Sequence, residues 1–226
     1  MLDTILNSLY PLKCVFCADT LPVSAPIGVC GCCAELIPYF AGNFLFEDKA
    51  RGANNCDKII CAMEFTHFVR GAISRFKFGG RRDYGIALAA ILCDRIGRTG
   101  DPREDYDLVT CIPLSRARMF ERGYNQAAEL AKYVSSYFNI AYAGDLLLRD
   151  ENALRQSTLR RGERYENAKI SYHVNVSKAR SYSLNAARVL LIDDIATSMA
   201  TINACGAIIK SAGAPEVTGA VLAAVM

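Results

Sequence analysis

The stretch Val189-Leu-Leu-Ile-Asp193-Asp194-Ile-Ala-Thr197-Ser198-Met199-Ala200-Thr201 limits the fold of this 226-residue chain more than any other. Continuous apolar residues from Val189 to Ile192, β-branched at both ends, suit a strand covered on both faces, as in the interior of a parallel sheet. Two adjacent carboxylates follow, then small and hydroxylated residues that open into a helix carrying Ile202, Cys205 and Ile209 on one side. At the carboxyl ends of parallel strands such loops face the crevice where ligands bind. Free N–H groups at a helix start, with the positive end of its dipole, suit an anion such as phosphate. Thr197, Ser198 and Thr201 add hydroxyl donors. Asp193 and Asp194 suit the neighbouring hydroxyls of a ribose, or a magnesium ion. An acidic N-cap before a Ser/Thr-rich turn would produce the same letters without any ligand.

The rest of the chain agrees with an α/β class. Phe68, Ala72 and Phe76 keep a helical spacing behind a candidate N-cap, Thr66, and Leu88, Ile91, Leu92 and Ile96 mark a second helix. Asp107–Pro113 has the length and β-branching of a buried strand. Ala127, Leu130, Ala131, Val134 and Phe138 form an amphipathic helix after Asn125, and Leu146–Leu148 is a short strand. Gly213 and Pro215 end the helix after the acid pair, and Val217–Val225 supplies a last strand. Strand and helix in alternation predict a largely parallel sheet. Hydrophobic residues make up 52% and charged ones 22%, so the chain can bury a core and is not disordered. Its formal charge of +3 excludes a histone-like polycation. The apolar run Ile86–Cys93 is too short to span a membrane, and Asp3 stands where a signal peptide would be cationic. The expectation is a cytoplasmic protein without membrane insertion.

The first forty residues are different in kind. They carry five of the ten cysteines, four of the seven prolines and one basic residue, Lys13, and read as a loop-built knuckle without helical period. Cys14-x-x-Cys17 and Cys30-x-x-Cys33 present two pairs, enough for the closed four-sulfur shell of structural zinc. Cys32 is a competitor for either member of the second pair, although the two-residue spacing selects Cys30 with Cys33. Four buried, inert cysteines are the other reading. In a reducing cytosol a disulfide framework is not expected. Residues 1–47 are therefore read as a zinc-binding segment, Glu47–Asp57 as a linker, and residues 48–226 as the α/β domain. Cys56, Cys61, Cys93, Cys111 and Cys205 read as small apolar residues. His67 and His173 read as surface or helix-end residues, and neither a Ser–His–Asp order nor a Walker-type glycine loop is present.

Arginines gather between Cys111 and Ile170, several of them in expected loops, a placement that suits a pocket or a cover over a phosphorylated substrate. A solvated surface with scattered ion pairs is the alternative, and for Arg160 and Arg161 the better one. Tyr124 reads either as a base-stacking residue or, more commonly at a helix entry, as core packing.

Taken in order, Phe76-Lys77-Phe78-Gly79, Ile112-Pro113-Leu114-Ser115-Arg116, Arg122-Gly123-Tyr124-Asn125-Gln126, then Arg149, Gln156, Leu159, Arg164 and Asn167, and finally the acid-pair loop, resemble the ComF family. The loop itself is similar to the phosphoribosyl-pyrophosphate (PRPP) motif of type I phosphoribosyltransferases. The resemblance implies a Rossmann-like phosphoribosyltransferase core behind a Cys14/Cys17/Cys30/Cys33 zinc segment. It implies that Asp193 and Asp194 hold the ribose hydroxyls and Mg2+, and that Ala196, Thr197, Ser198, Met199, Ala200 and Thr201 hold the 5-phosphate. Arg116, with Ser115, would meet pyrophosphate, and Lys77, Arg122, Asn125, Arg149, Gln156 and Arg164 would complete the substrate site. The ligand would be PRPP or ribose 5-phosphate. The implied role is DNA uptake in competence and use of external DNA, beside helicase and strand-loading proteins. A non-catalytic single-stranded-DNA adaptor is the alternative. One departure stands out: Met199 occupies the position of the motif's glycine, where a side chain at positive φ costs about 1–2 kcal/mol.

Overall fold

A computed structural model describes residues 11–22, 28–41, 56–151, 171–197 and 199–225. Gln156, Leu159, Arg164, Asn167, Ser198 and most of the expected linker lie outside these residues. In chain order the elements are α1 (Gly31–Glu35), β1 (Lys58–Glu64), α2 (His67–Phe78), α3 (Tyr84–Gly97), α4 (Pro102–Asp105), β2 (Leu108–Cys111), α5 (Arg116–Arg122), α6 (Gln126–Phe138) and β3 (Ala141–Tyr142). They continue with β4 (Leu147–Arg149), β5 (Tyr172–Val174), α7 (Val176–Ser181), β6 (Arg188–Ala196), α8 (Ala200–Ser211) and β7 (Glu216–Ala224). Five strands form a parallel sheet in the order β1-β7-β6-β2-β3, and β4 pairs with β5 as a separate antiparallel ribbon. The α/β expectation holds.

Local chemistry explains where the helices begin. The Thr66 hydroxyl accepts from the Val69 N–H and caps α2, and the Asn125 side-chain Oδ1 accepts from the Ala127 N–H and caps α6. Alternation along the central strand divides the core in two. Leu190 and Ile192 belong to the apolar cluster shared with α2, α3 and α6, whereas Val189 and Leu191 join the cluster under α8 and the β4–β5 ribbon. Gly219 on β7 lets α8 approach closely, since a Cβ there would stand 2.7 Å from Ile202 Cδ1.

Several expectations need correction. The first forty residues are not free of helix, because α1 contains Cys32 and Cys33. Strand β1 and the ribbon partner β5 give no clear period in the sequence: β1 is buried on both faces, and β5 is three residues long. Arg116, Arg118 and Arg122 lie on helix α5, not in loops. That helix buries nothing and so has no apolar stripe, but Ser115 as a start signal and left-handed Gly123 as a stop signal are what it does carry. Finally, β6 runs on through Asp193 and Asp194 to Ala196, so the acids belong to the strand itself.

The cysteine segment is fastened to the sheet. Phe40 N–H donates to the Ala62 carbonyl and Glu64 N–H to that of Pro38, covering the outer edge of β1. Val15 and Phe16 enter the same cluster as α2, and Phe16 stacks on Phe68 at 4.6 Å. With Leu191 fully buried in the central strand, Leu191→Ala is expected to lower unfolding stability by about 3 kcal/mol in a urea titration, with no change in slope.

Candidate functional site

Two constellations carry chemistry. In the first, the sulfurs of Cys14, Cys17, Cys30 and Cys33 lie within 4.8 Å of one another. A tetrahedral shell with metal–sulfur bonds of about 2.3 Å spaces its sulfurs about 3.8 Å apart, and Cys17 and Cys30 are 3.8 Å apart. Cys32 is exposed and outside the group. Cys30 caps α1, accepting from the Cys33 N–H, and the Cys14 sulfur accepts from the Cys30 N–H. Burial works to raise the Cys14 thiol, yet backbone N–H groups of Cys17, Cys30 and Phe16 outweigh it and bring it down to about 7. Burial and its sulfur neighbours push Cys33 up. Crowded thiols of this kind ionise together only around a cation, so the residues fit a structural zinc ion. With all four positions supplied by protein, such an ion would have no open site. Arg75 of α2 ties the cluster to the core by donating to the carbonyls of Val15 (3.0 Å) and Phe16.

The second constellation is a cleft of about 390 Å³ at the carboxyl ends of β2 and β6, within the usual range for small-ligand sites. Its walls include Lys77, Arg118, Arg122, Asn125, Arg149, Tyr172, Asp193, Asp194, Thr197 and Thr201. Continuing the alternation of β6 sends Asp193 toward the α8 side and Asp194 toward the α2 side. There Lys77, in the last turn of α2, reaches both Asp194 oxygens, at 2.9 and 2.8 Å. Asp193 accepts from the Asp194 N–H at 2.8 Å. Burial, reinforced by the neighbouring Asp194 charge, pushes the Asp193 carboxyl up to about 7.

Beyond the strand, Met199 sits at φ +54° and ψ −1°, in the left-handed region, and supplies no side-chain cap to α8. Its side chain packs against the apolar cluster under α8. A hollow of about 40 Å³ opens among Asp193, Thr197, Met199, Ala200 and Thr201, room for about three waters. On the β4–β5 ribbon, Arg149 lies over the Tyr172 ring and donates to its hydroxyl at 3.3 Å. Arg122 lies over Phe78 and donates to Gln126. The Nε–H groups of both arginines are buried with no hydrogen-bond partner among the described residues, a costly state that an anionic ligand would relieve.

The structure thus brings together Lys77, Arg122, Asn125, Arg149, Asp193, Asp194, Thr197 and Thr201 around one cleft, with Ala196, Met199 and Ala200 around the adjoining hollow. Ser115 and Arg116 are not among the lining residues. The Ser115 hydroxyl caps α5, and exposed Arg116 gives its backbone N–H to Glu151. Arg118 stands in the cleft where Arg116 was expected, two residues further along α5 and so on its other side. Asn125 spends its amide on capping α6 and on the Ile112 carbonyl, so its part is to hold the β2 end in place. Tyr124 is core packing: it is buried and donates to the Phe76 carbonyl. Sequence reasoning does not single out Tyr172, whose place depends on pairing with Arg149 across the ribbon.

No protein-family model matches the chain. It is similar to Competence protein F of Haemophilus influenzae, at 25% identity over 222 residues, 92% of this chain and 95% of that protein.

Because the native state holds the Asp193 proton more tightly than the unfolded chain does, the stability this group contributes is present below about pH 4 and is lost as pH rises through about 7. Asp193→Asn should therefore gain on the unsubstituted protein by about 1–3 kcal/mol between pH 5 and pH 8 in paired denaturant titrations.

Proposed function

We propose that this chain is a ComF-like protein of the DNA-uptake system, with a cleft that binds PRPP or ribose 5-phosphate. The similarity to a competence protein supports the cellular role. One observation carries the ligand: two carboxylates stand at the rim of a parallel sheet, in the strand that leads to a helix start with no side-chain cap, and share a cleft with three arginines. The N–H groups of Ala200 and Thr201, with the Thr197 and Thr201 hydroxyls, suit a terminal phosphate in the hollow. Asp193 suits the ribose hydroxyls. Arg118, Arg122 and Arg149 suit a pyrophosphate, the two buried Nε–H groups finding their missing acceptors there. If the protein is a transferase, its contribution is electrostatic, since fixed guanidinium groups stabilise charge as pyrophosphate departs. Zinc at the four cysteines would be structural. A site in the cytoplasm, beside helicase and strand-loading proteins, follows from the same reading; among the described residues no helix is long and apolar enough to cross a membrane.

A second reading, single-stranded DNA binding, is favoured by the outer face of α5. Phe120 is 94% exposed, Phe78 stands 59% exposed beneath Arg122, and Arg116 and Arg118 share the helix. Aromatic rings among arginines suit stacked bases and a phosphate backbone.

Calorimetry with PRPP distinguishes the two. Binding that weakens at least about tenfold in Arg118→Ala supports the first reading. Met199→Gly, which removes a side chain from a positive-φ position, is expected to bind several-fold more tightly. No binding by the unsubstituted chain or by Met199→Gly removes the ribose-phosphate reading. Anisotropy with labelled single-stranded DNA should show a loss of about fivefold or more in Phe120→Ala, and an unchanged affinity removes the second reading.

A further inference from the structure

We propose that Lys77 is the built-in counter-cation of the acid pair, so that the cleft takes its anionic ligand with an ammonium group where a divalent metal ion would otherwise stand. The inference builds on the ribose-phosphate reading of the cleft, and its test reads metal alone, so either can fail without the other.

Both oxygens of Asp194 are within 2.9 Å of the Lys77 Nζ, and the two side chains are only 15% and 12% exposed. In a largely desolvated, two-oxygen pair of this kind, removing either partner leaves an uncompensated charge, so the pair is costly to separate. Nor is Lys77 a loose side chain. The turn of α2 that carries it is anchored from the entry to α6, with Tyr124 donating to the Phe76 carbonyl and Gln126 Nε2 reaching the Lys77 carbonyl at 3.5 Å. The alternation of β6 sends the Asp193 carboxylate toward the α8 side of the cleft and that of Asp194 toward the α2 side, so the strand does not present both to a cation from one face. Magnesium demands a near-ideal octahedral oxygen shell, and here the second carboxylate is already spent. Besides Asp193, the charges left in the cleft are Arg118, Arg122 and Arg149, a net positive set that repels a divalent ion and attracts a polyanion. The residues present therefore do not fit the Mg2+ that the sequence reading attached to Asp193 and Asp194. They fit a ligand whose negative charge is met by fixed side chains.

The test is a titration of the full chain with Mn2+, free metal being read by electron paramagnetic resonance. The unsubstituted protein and Lys77→Arg are expected to bind Mn2+ weakly and alike. Lys77→Met, with Asp194 released, should bind at least about tenfold more tightly, and Lys77→Met/Asp194→Asn should lose that gain. Should Lys77→Met fail to fold because it buries an unpaired carboxylate, Asp194→Asn alone decides: unchanged Mn2+ affinity supports the proposal. Mn2+ binding by the unsubstituted protein as tight as that of Lys77→Met overturns it. So does a gain that persists in the double variant, or a loss of affinity in Asp194→Asn.

Discussion

Everything at the cleft depends on β6 being covered on both faces. A strand in that position must alternate its side chains between two apolar layers, and the apolar residues from Val189 to Ile192 do so. Because the strand continues past Ile192 without a break, the same alternation governs the next two residues. Asp193 and Asp194 are adjacent in the chain yet serve opposite layers, so they meet different partners. Asp194 is neutralised by a lysine from α2. Asp193 remains half-buried toward α8 and holds its proton to near-neutral pH. Two chemically identical side chains are given separate tasks by the pleat of one strand.

Helix α2 links the two constellations. Its Arg75 holds the carbonyls of the first cysteine pair's turn, and two residues later Lys77 holds Asp194. The cysteine segment is thus not a free appendage: it covers the edge of β1, adds Val15 and Phe16 to the core and braces the helix that supplies the cleft's lysine. A segment of this length has too small a core of its own to hold such a brace, and four thiolates around one ion would supply what it lacks.

Much of the fold was legible because its signals are local. Thr66 and Asn125 mark helix starts through hydrogen bonds that reach no further than three residues. The β6 run and the α6 stripe advertise their burial by period. The two Cys-x-x-Cys pairs converge as their spacing requires, with Cys32 left outside. Met199 has the positive φ that the motif's glycine, whose position it takes, would require. Helix α5 escaped because it buries nothing, and an element without an apolar face leaves no period to detect. The exchange of Arg116 for Arg118 in the cleft follows from that same missed helix.

Composition and short-range pattern by themselves determined an α/β class, a four-cysteine segment, the helix caps and the apolar strand that leads into the acid pair, since each arises from interactions within a few residues. Tertiary structure alone decided what those acids meet. Lys77 and Asp194 are 117 positions apart, and Arg149 reaches Tyr172 only because β4 pairs with β5. Such partnerships come from strand order and helix packing, and no local spacing encodes which side of a sheet a distant side chain will approach.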